Sequence, residues 1–97
     1  MNVESMIDAL EKALDRYLKT SPDHFAMLEV RKLRSELRSD PERLVVEISN
    51  IFNDPKTVVT DSFQSQASRD AASEVEAARK PLGNYFARQR RERRSNG

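Results

Sequence analysis

Apolar side chains in the first half of the chain recur every three or four residues, which is the spacing of one face of an α-helix. In the first such segment the steps are four, three, four and three: Val3, Ile7, Leu10, Leu14 and Tyr17. Because about 3.6 residues complete a turn, these side chains form one stripe along a helix over residues 3–19. The stripe belongs either to the core or to the seam of a dimer.

Two further apolar lines predict helices over residues 22–39 and 41–53. The line on the second helix includes Leu33 and Leu37. The third helix has the densest apolar content of the chain, and its predicted core face contains Leu44, Ile48, Ile51 and Phe52. No segment alternates with a period of two long enough to form a sheet, so the pattern predicts an all-α protein.

Three prolines in the first half each follow a Ser or an Asp, in "SPDH" (21–24), "DPER" (40–43) and "DPKT" (54–57). A polar side chain before Pro indicates a helix start, because the side chain caps free amides and Pro fits the first helical position. We therefore expect helix breaks near residues 20, 40 and 54. Whether the second and third helices fold back or continue in line stays open, since Pro permits either.

The pattern weakens after residue 55, where a short helix over 56–66 and another over 70–80 are expected. "KPLGN" (80–84) predicts a break, because Pro and Gly interrupt helices. The predicted organisation is a helical domain, residues 1–83, followed by an arginine-rich tail, residues 84–97. The domain is expected to be a small hairpin or bundle of three to five helices, completed by homodimerisation.

Composition supports the dimer and argues against catalysis. The chain has 97 residues, of which 37% are hydrophobic and 34% charged, so one copy alone has a thin core. It lacks Cys, and it has one His and two Gly, which leaves no thiolate metal site, no His pair or His-rich metal cluster and no phosphate-binding glycine loop. We expect a non-enzymatic intracellular protein of the cytoplasm, with no metal, no cofactor, no membrane span and no signal peptide.

Charge is distributed unevenly between the two halves. Residues 1–54 contain 8 Lys and Arg against 11 Asp and Glu, whereas residues 55–97 contain 9 against 5. The tail contributes five arginines: Arg88, Arg90, Arg91, Arg93 and Arg94. As a helix it would carry like charges one turn apart, so alone it should fray, and a polyanion would order it. Tyr85 and Phe86, just before these arginines, could stack on bases or anchor the tail to the body; we prefer the anchor.

A second group of basic residues lies on the second helix. At about 100° per residue, Arg31, Arg34 and Arg38 fall within an arc of about 60° beside the apolar line. They are either rim charges that pair with a neighbouring helix or a stripe that follows phosphates. We prefer the first interpretation because the first helix is rich in acidic residues, and we keep Arg34 and Arg38 as candidates for the second.

The segment "ERLVVEISNIFNDPKTVV" (42–59), with the loop "SPDH" and the "VRKL" stretch (30–33), resembles the nodavirus-type suppressors of RNA silencing over about residues 3–60. The resemblance implies an all-helical homodimer that binds double-stranded RNA in the host cytoplasm and shields it from cleavage. It implies that Arg31 and Lys32 face the RNA. Pro41 departs from the family's unbroken second helix, Asp54 stands where the family tends to have a basic residue, and the arginine-rich tail is not a family feature.

Two classes of function follow from the sequence. The first is a nucleic-acid-binding protein, with RNA as the preferred partner, that contacts phosphates and reads little sequence. The second is a protein-interaction module, such as an adaptor, secretion chaperone or phage assembly factor, whose apolar helix faces hold a protein partner.

Overall fold

The chain forms four α-helices in a computed structural model that describes residues 2–20, 23–54, 56–57 and 65–95. The predicted all-α class is confirmed, and the described residues outside the helices form caps and turns. The helices, with their bounds, are α1 (Val3–Thr20), α2 (His24–Glu36), α3 (Pro41–Asn53) and α4 (Gln66–Ser95).

Side-chain caps fix where α2 and α3 begin. Asp23 accepts a hydrogen bond from the amide of Ala26 at 2.8 Å, so α2 begins two residues later than predicted. Asp40 caps α3 by accepting from the amide of Arg43 at 3.4 Å, and Pro41 occupies the first turn as predicted. A turn over residues 37–39 separates the two helices, so they do not continue in line.

Neighbouring helices run antiparallel. Asp15 of α1 pairs with Arg34 of α2, while Glu4, at the other end of α1, pairs with Arg38. The direction of α4 follows from contacts of the same kind: Arg16, late in α1, pairs with Glu74, early in α4. Each helix packs against the next, and α4 closes the ring by packing against both α1 and α3. The four helices of the described residues thus form an up-and-down bundle.

The core contains the predicted apolar faces. Leu10, Leu14 and Tyr17 of α1 are fully buried within the single chain, and the ring of Tyr17 meets that of Phe52 edge-on at 5.3 Å. The α1 stripe is therefore part of the core of the single chain. Among the other residues predicted to form the core or a dimer seam, the buried ones are Ile7, Leu33, Leu37, Leu44, Ile48 and Phe52, and the partly buried ones are Val3 and Ile51.

The largest departure from the sequence-based expectation is α4. The predicted break at residues 80–84 is wrong, since one helix of 30 residues runs from Gln66 to Ser95. The expected boundary after residue 83 thus falls inside a helix, and residues 84–95 are helical where fraying was expected. A helix of 30 residues is about 45 Å long, close to the 47 Å long dimension of the whole structure.

Burial explains why α4 continues past its helix-breaking residues. Pro81 and Ala77, whose carbonyl loses its helical donor, both lie on the exposed side, where water can replace the missing bond. Leu82 and Phe86 are buried on the other side of the helix and join the core. Their burial contributes about 1.5–3 kcal/mol each, so together they offset the cost of an interior Pro of about 3 kcal/mol.

The start of α4 is also fixed locally, by two serines. The amide of Ser68 donates to the hydroxyl of Ser65 at 3.1 Å, and the buried hydroxyl of Ser68 donates to the Ser65 carbonyl at 3.0 Å. Ser65 thus acts as the cap, and the helix begins before the predicted residue 70. Of the helix predicted over 56–66, Lys56 and Thr57 form a turn beside Asp54, and residues 58–64 lie outside the described residues.

Candidate nucleic-acid interface

Arg34 of α2 is held against α1. Its Nε donates to Oδ1 of Asp15 at 2.7 Å, and its Nη2 donates to Oδ2 of the same carboxylate at 3.3 Å. This two-pronged geometry is a strong form of side-chain ion pair, and the hydrogen bonds that Arg34 donates to Asp15 raise the pKa of Arg34. A phosphate that bound the same two N–H groups of Arg34 would have to displace Asp15.

Arg38 is held by three carboxylates of α1. Its guanidinium donates to Glu11 at 2.7 Å, to Glu4 at 3.0 Å, and also to Asp8. Hydrogen bonds to Glu11, Asp8 and Glu4, in that order, raise the pKa of Arg38. Both arginines therefore pair with a neighbouring helix, as the first of the two interpretations expected, and the phosphate contacts predicted for them would require these pairs to break.

Arg31 and Lys32 lie on the solvent side of α2. Both are exposed, and neither forms an ion pair with any residue that the structure describes. They share the outer side of α2 with two apolar side chains: Phe25 is 70% exposed and Leu28 is 47% exposed. The outer face of α2, defined by these four residues, is thus both basic and apolar.

The arginine-rich end of α4 is a helix anchored to the body. Phe86 is buried, Tyr85 is partly buried, and their rings meet edge-on at 5.3 Å, so both act as the anchor that the sequence analysis prefers. Gln89 donates to the hydroxyl of Tyr85 at 2.7 Å, which adds one more contact along the same turns. Beyond this anchor Arg88, Arg90, Arg91 and Arg93 are exposed, and Arg94 continues the helix.

The arginines of α4 lie on two sides of the helix. At about 100° per residue, Arg90 and Arg93 flank the direction of buried Phe86, and so they face the body. Both approach one oxygen of Glu42 in α3, Arg90 at 3.9 Å and Arg93 at 3.7 Å. Arg88 and Arg91 lie about 60° apart on the opposite, outer side. Arg88 forms no ion pair within the described part of the chain.

Nothing in the described residues resembles a catalytic centre. His24 is exposed, its ring lies 5.9 Å from that of Phe25, and no carboxylate or hydroxyl is hydrogen-bonded to it there. No group of three or more His, Asp or Glu side chains in residues 2–20, 23–54, 56–57 and 65–95 is arranged to hold a metal ion. In the same ranges, no helix is both long enough and apolar enough to cross a bilayer.

The sequence analysis does not anticipate the role of two residues that position the arginine-rich end of α4. The sequence pattern indicates Glu42 only as part of α3, although this residue lies beside the arginines of α4. Gly83 belongs to the predicted break, although α4 packs closely against Val45 of α3 at this residue. The sequence does contain a signal that α4 continues through Gly83. Val75, Leu82 and Phe86 keep helical spacing across Pro81 and Gly83.

Comparisons with known proteins add no relative. No protein-family model matches the sequence, no curated protein matches it, and no solved structure matches the fold. The arguments about function therefore depend on the sequence and the surface of this chain.

Proposed function

We propose that this chain is a non-enzymatic nucleic-acid-binding protein that contacts RNA phosphates through the arginine-rich end of α4. The observation that carries the proposal is the outward pair Arg88 and Arg91, exposed on a helix that Phe86 anchors to the core. Arginine suits this role, since its planar guanidinium forms two hydrogen bonds to a phosphate.

The anchored helix supports the proposal in a way that a frayed tail would not. Arg88 and Arg91 are one turn apart, so they meet neighbouring phosphates without first paying the ordering cost of a disordered segment. The side chains approach the backbone of a nucleic acid and need not enter a groove, so binding would read charge and shape with little sequence preference. Arg31 and Lys32, exposed on α2, are the second contact that the resemblance to the silencing suppressors suggests.

RNA duplexes are the preferred ligand within this proposal. The resemblance over residues 3–60 implies double-stranded RNA, and shielding such a duplex from a silencing nuclease is the role that binding would serve. Arg34 and Arg38 have no part in the contact surface that we propose, because carboxylates of α1 already occupy them.

The test compares fluorescence anisotropy of labelled duplex RNA, single-stranded RNA and duplex DNA at two salt concentrations. The variant Arg88→Gln/Arg91→Gln should weaken binding and reduce the slope of log affinity against log salt by about 2, since each arginine that no longer meets a phosphate removes about 1. The control, Lys12→Gln/Lys19→Gln, removes the same charge from exposed positions of α1. A wild-type chain that binds none of the three ligands in dilute buffer, or equal slopes for variant and control, would overturn the proposal.

A second function has one observation in its favour. Phe25 and Leu28 expose apolar surface on α2 that a nucleic acid does not need, and a protein partner would cover it. Under this interpretation, as an adaptor or chaperone, Phe25→Ser/Leu28→Ser should abolish the capture of one stoichiometric protein partner while the chain stays folded. Loss of RNA binding in this variant would instead assign α2 to the nucleic-acid surface.

A further inference from the structure

Glu42 lies where α3 meets the arginine-rich end of α4. It occupies the first turn of α3, and its Oε1 is 3.9 Å from Nη1 of Arg90 and 3.7 Å from Nη2 of Arg93. Two arginines one turn apart on α4 thus converge on a single carboxylate oxygen. A carboxylate oxygen beside two guanidinium groups is the arrangement that a phosphate oxygen would also adopt.

The contact is loose enough to be exchanged for another anion. Both distances exceed the range of a hydrogen bond, so the attraction is coulombic, and all three side chains are partly exposed to solvent. Exposed pairs of this kind contribute little individually. Two other interhelical pairs do have hydrogen-bond geometry, unlike the contacts of Glu42. They join Arg34 to Asp15 and Arg38 to Glu11, both at 2.7 Å.

The neighbouring carboxylates of α3 are engaged elsewhere. Asp40 and Glu47 approach Arg43 at 3.1 Å and 2.6 Å, within their own helix and its cap. Glu42 is directed across the interface, towards α4. It also lines the groove between α3 and α4 together with Val46 and Arg90.

We propose that Glu42 is a built-in competitor for the anionic ligand: it occupies the place of a phosphate beside Arg90 and Arg93. This inference rests on the proposed function. The arginines of α4 then form two groups, an outer pair that meets the polyanion first and an inner pair that engages only when phosphate displaces Glu42. Short or weakly charged strands would reach only the outer pair, so Glu42 sets a threshold of charge for tight binding.

The experiment measures affinity for a labelled RNA duplex with the full chain at about 0.1 M salt. Glu42→Gln should raise affinity about threefold, since it releases two weak ion pairs. The matched control is Glu74→Gln. It makes the same change of charge and also breaks an interhelical pair, the one between Glu74 and Arg16. Glu74 lies about 24 Å along α4 from Arg90. At about 0.1 M salt this separation exceeds the screening length of about 10 Å, so the control should stay within about 1.3-fold of wild type.

A double-mutant cycle separates the specific contact from general charge. In the background Arg90→Gln/Arg93→Gln, replacing Glu42 should change the affinity no more than the control does, because the groups that it restrains are absent. Glu42→Asp is the second variant: it keeps the charge in the first turn of α3 but shortens the side chain, and so it should also raise affinity. Circular dichroism and thermal unfolding check that each variant is folded.

The outcomes distinguish the two proposals. If wild type binds RNA and Glu42→Gln behaves like Glu74→Gln, Glu42 is not a competitor, and the proposed function stands. If the increase persists without Arg90 and Arg93, it arises from net charge, and the inference is again overturned. If wild type binds no nucleic acid, both proposals fall.

Discussion

Gly83 of α4 packs directly against Val45 of α3. A Cβ at Gly83 would lie 3.3 Å from Cγ1 of Val45 and 3.4 Å from Nη1 of Arg79. The missing side chain lets the two helices approach closely just before the arginines begin. This approach brings Glu42 within reach of Arg90 and Arg93, and so it directs the charged end of α4 along the bundle.

Substitution of Gly83 should show how much α4 depends on this approach. Gly83→Ala should leave the free energy of unfolding within about 1 kcal/mol of wild type, because a gain in helix propensity of about 1 kcal/mol offsets the tight contact. Gly83→Leu should lower it by about 1–3 kcal/mol, since Val45 cannot move far enough. Urea denaturation measures both, and Ala77→Leu on the exposed side of α4 is the control. Equal stability of the Ala and Leu variants would mean that the helices do not touch there.

Phe86→Ala should release the arginine-rich end of α4 from the body. The side chain is buried near the edge of the core, so the decrease in stability is expected to reach about 3 kcal/mol, the lower end of the range for buried Phe. Amides of residues 84–95 should exchange faster with deuterium, while those of α1 keep their protection. Gln89→Ala removes only the hydrogen bond to Tyr85 and should have a small effect. Unchanged exchange in the Phe86 variant would show that another contact anchors the helix.

Arg38→Gln should reduce thermal stability by a few degrees in low salt, because three carboxylates of α1 lose their shared partner. The difference from wild type should shrink as salt rises, since exposed ion pairs are screened. Arg31→Gln, on α2 two turns earlier and without an ion pair to any described residue, is the control. A decrease that does not depend on salt would assign the effect of Arg38 to packing of its aliphatic chain.

The pH dependence of the stability of Arg38→Gln follows from the direction in which the pKa of Arg38 is shifted. The pKa of Arg38 is raised in the folded state by its bonds to Glu11, Asp8 and Glu4. A raised pKa adds stability that is complete below the ordinary value for arginine and is lost only as pH rises through the folded value. The difference between Arg38→Gln and wild type should therefore be constant between about pH 6 and about pH 10. If the difference in stability decreased between about pH 6 and about pH 10, another titrating group would have to be responsible.

Homodimerisation stays a prediction, and the fold limits which surface a second copy can contact. Leu10 is fully buried in the single chain, so Leu10→Ala should lower stability by about 2–5 kcal/mol whether or not a dimer forms. The exposed apolar residues Phe25 and Leu28 are the surface that a second copy could cover. Multi-angle light scattering should give a dimer for wild type and a monomer for Phe25→Ser/Leu28→Ser. A monomeric wild-type chain at all concentrations would end the dimer hypothesis.

Local patterns in the sequence determined much of the bundle. The stripe that includes Leu10 and Leu14 predicted α1 to within one residue, because helical periodicity and side-chain burial express the same geometry. Asp40 and Pro41 predicted the start of α3, since a cap and the first helical turn involve only neighbours in the chain. The bounds of α2 were less accurate because its cap is Asp23, which follows the proline instead of preceding it.

Only the tertiary structure decided that α4 is continuous and which basic residues pair with carboxylates. Pro81 and Gly83 indicate a break because local propensity disfavours them, yet burial of Leu82 and Phe86 and the approach to Val45 keep the helix intact. Arg38 and Arg31 fall on one flank if the predicted helix over 22–39 is continued, but of the two only Arg38, in the turn after α2, meets carboxylates of α1 among the described residues. Contacts between residues distant in the chain depend on how helices pack, and a pattern of neighbours does not contain that information.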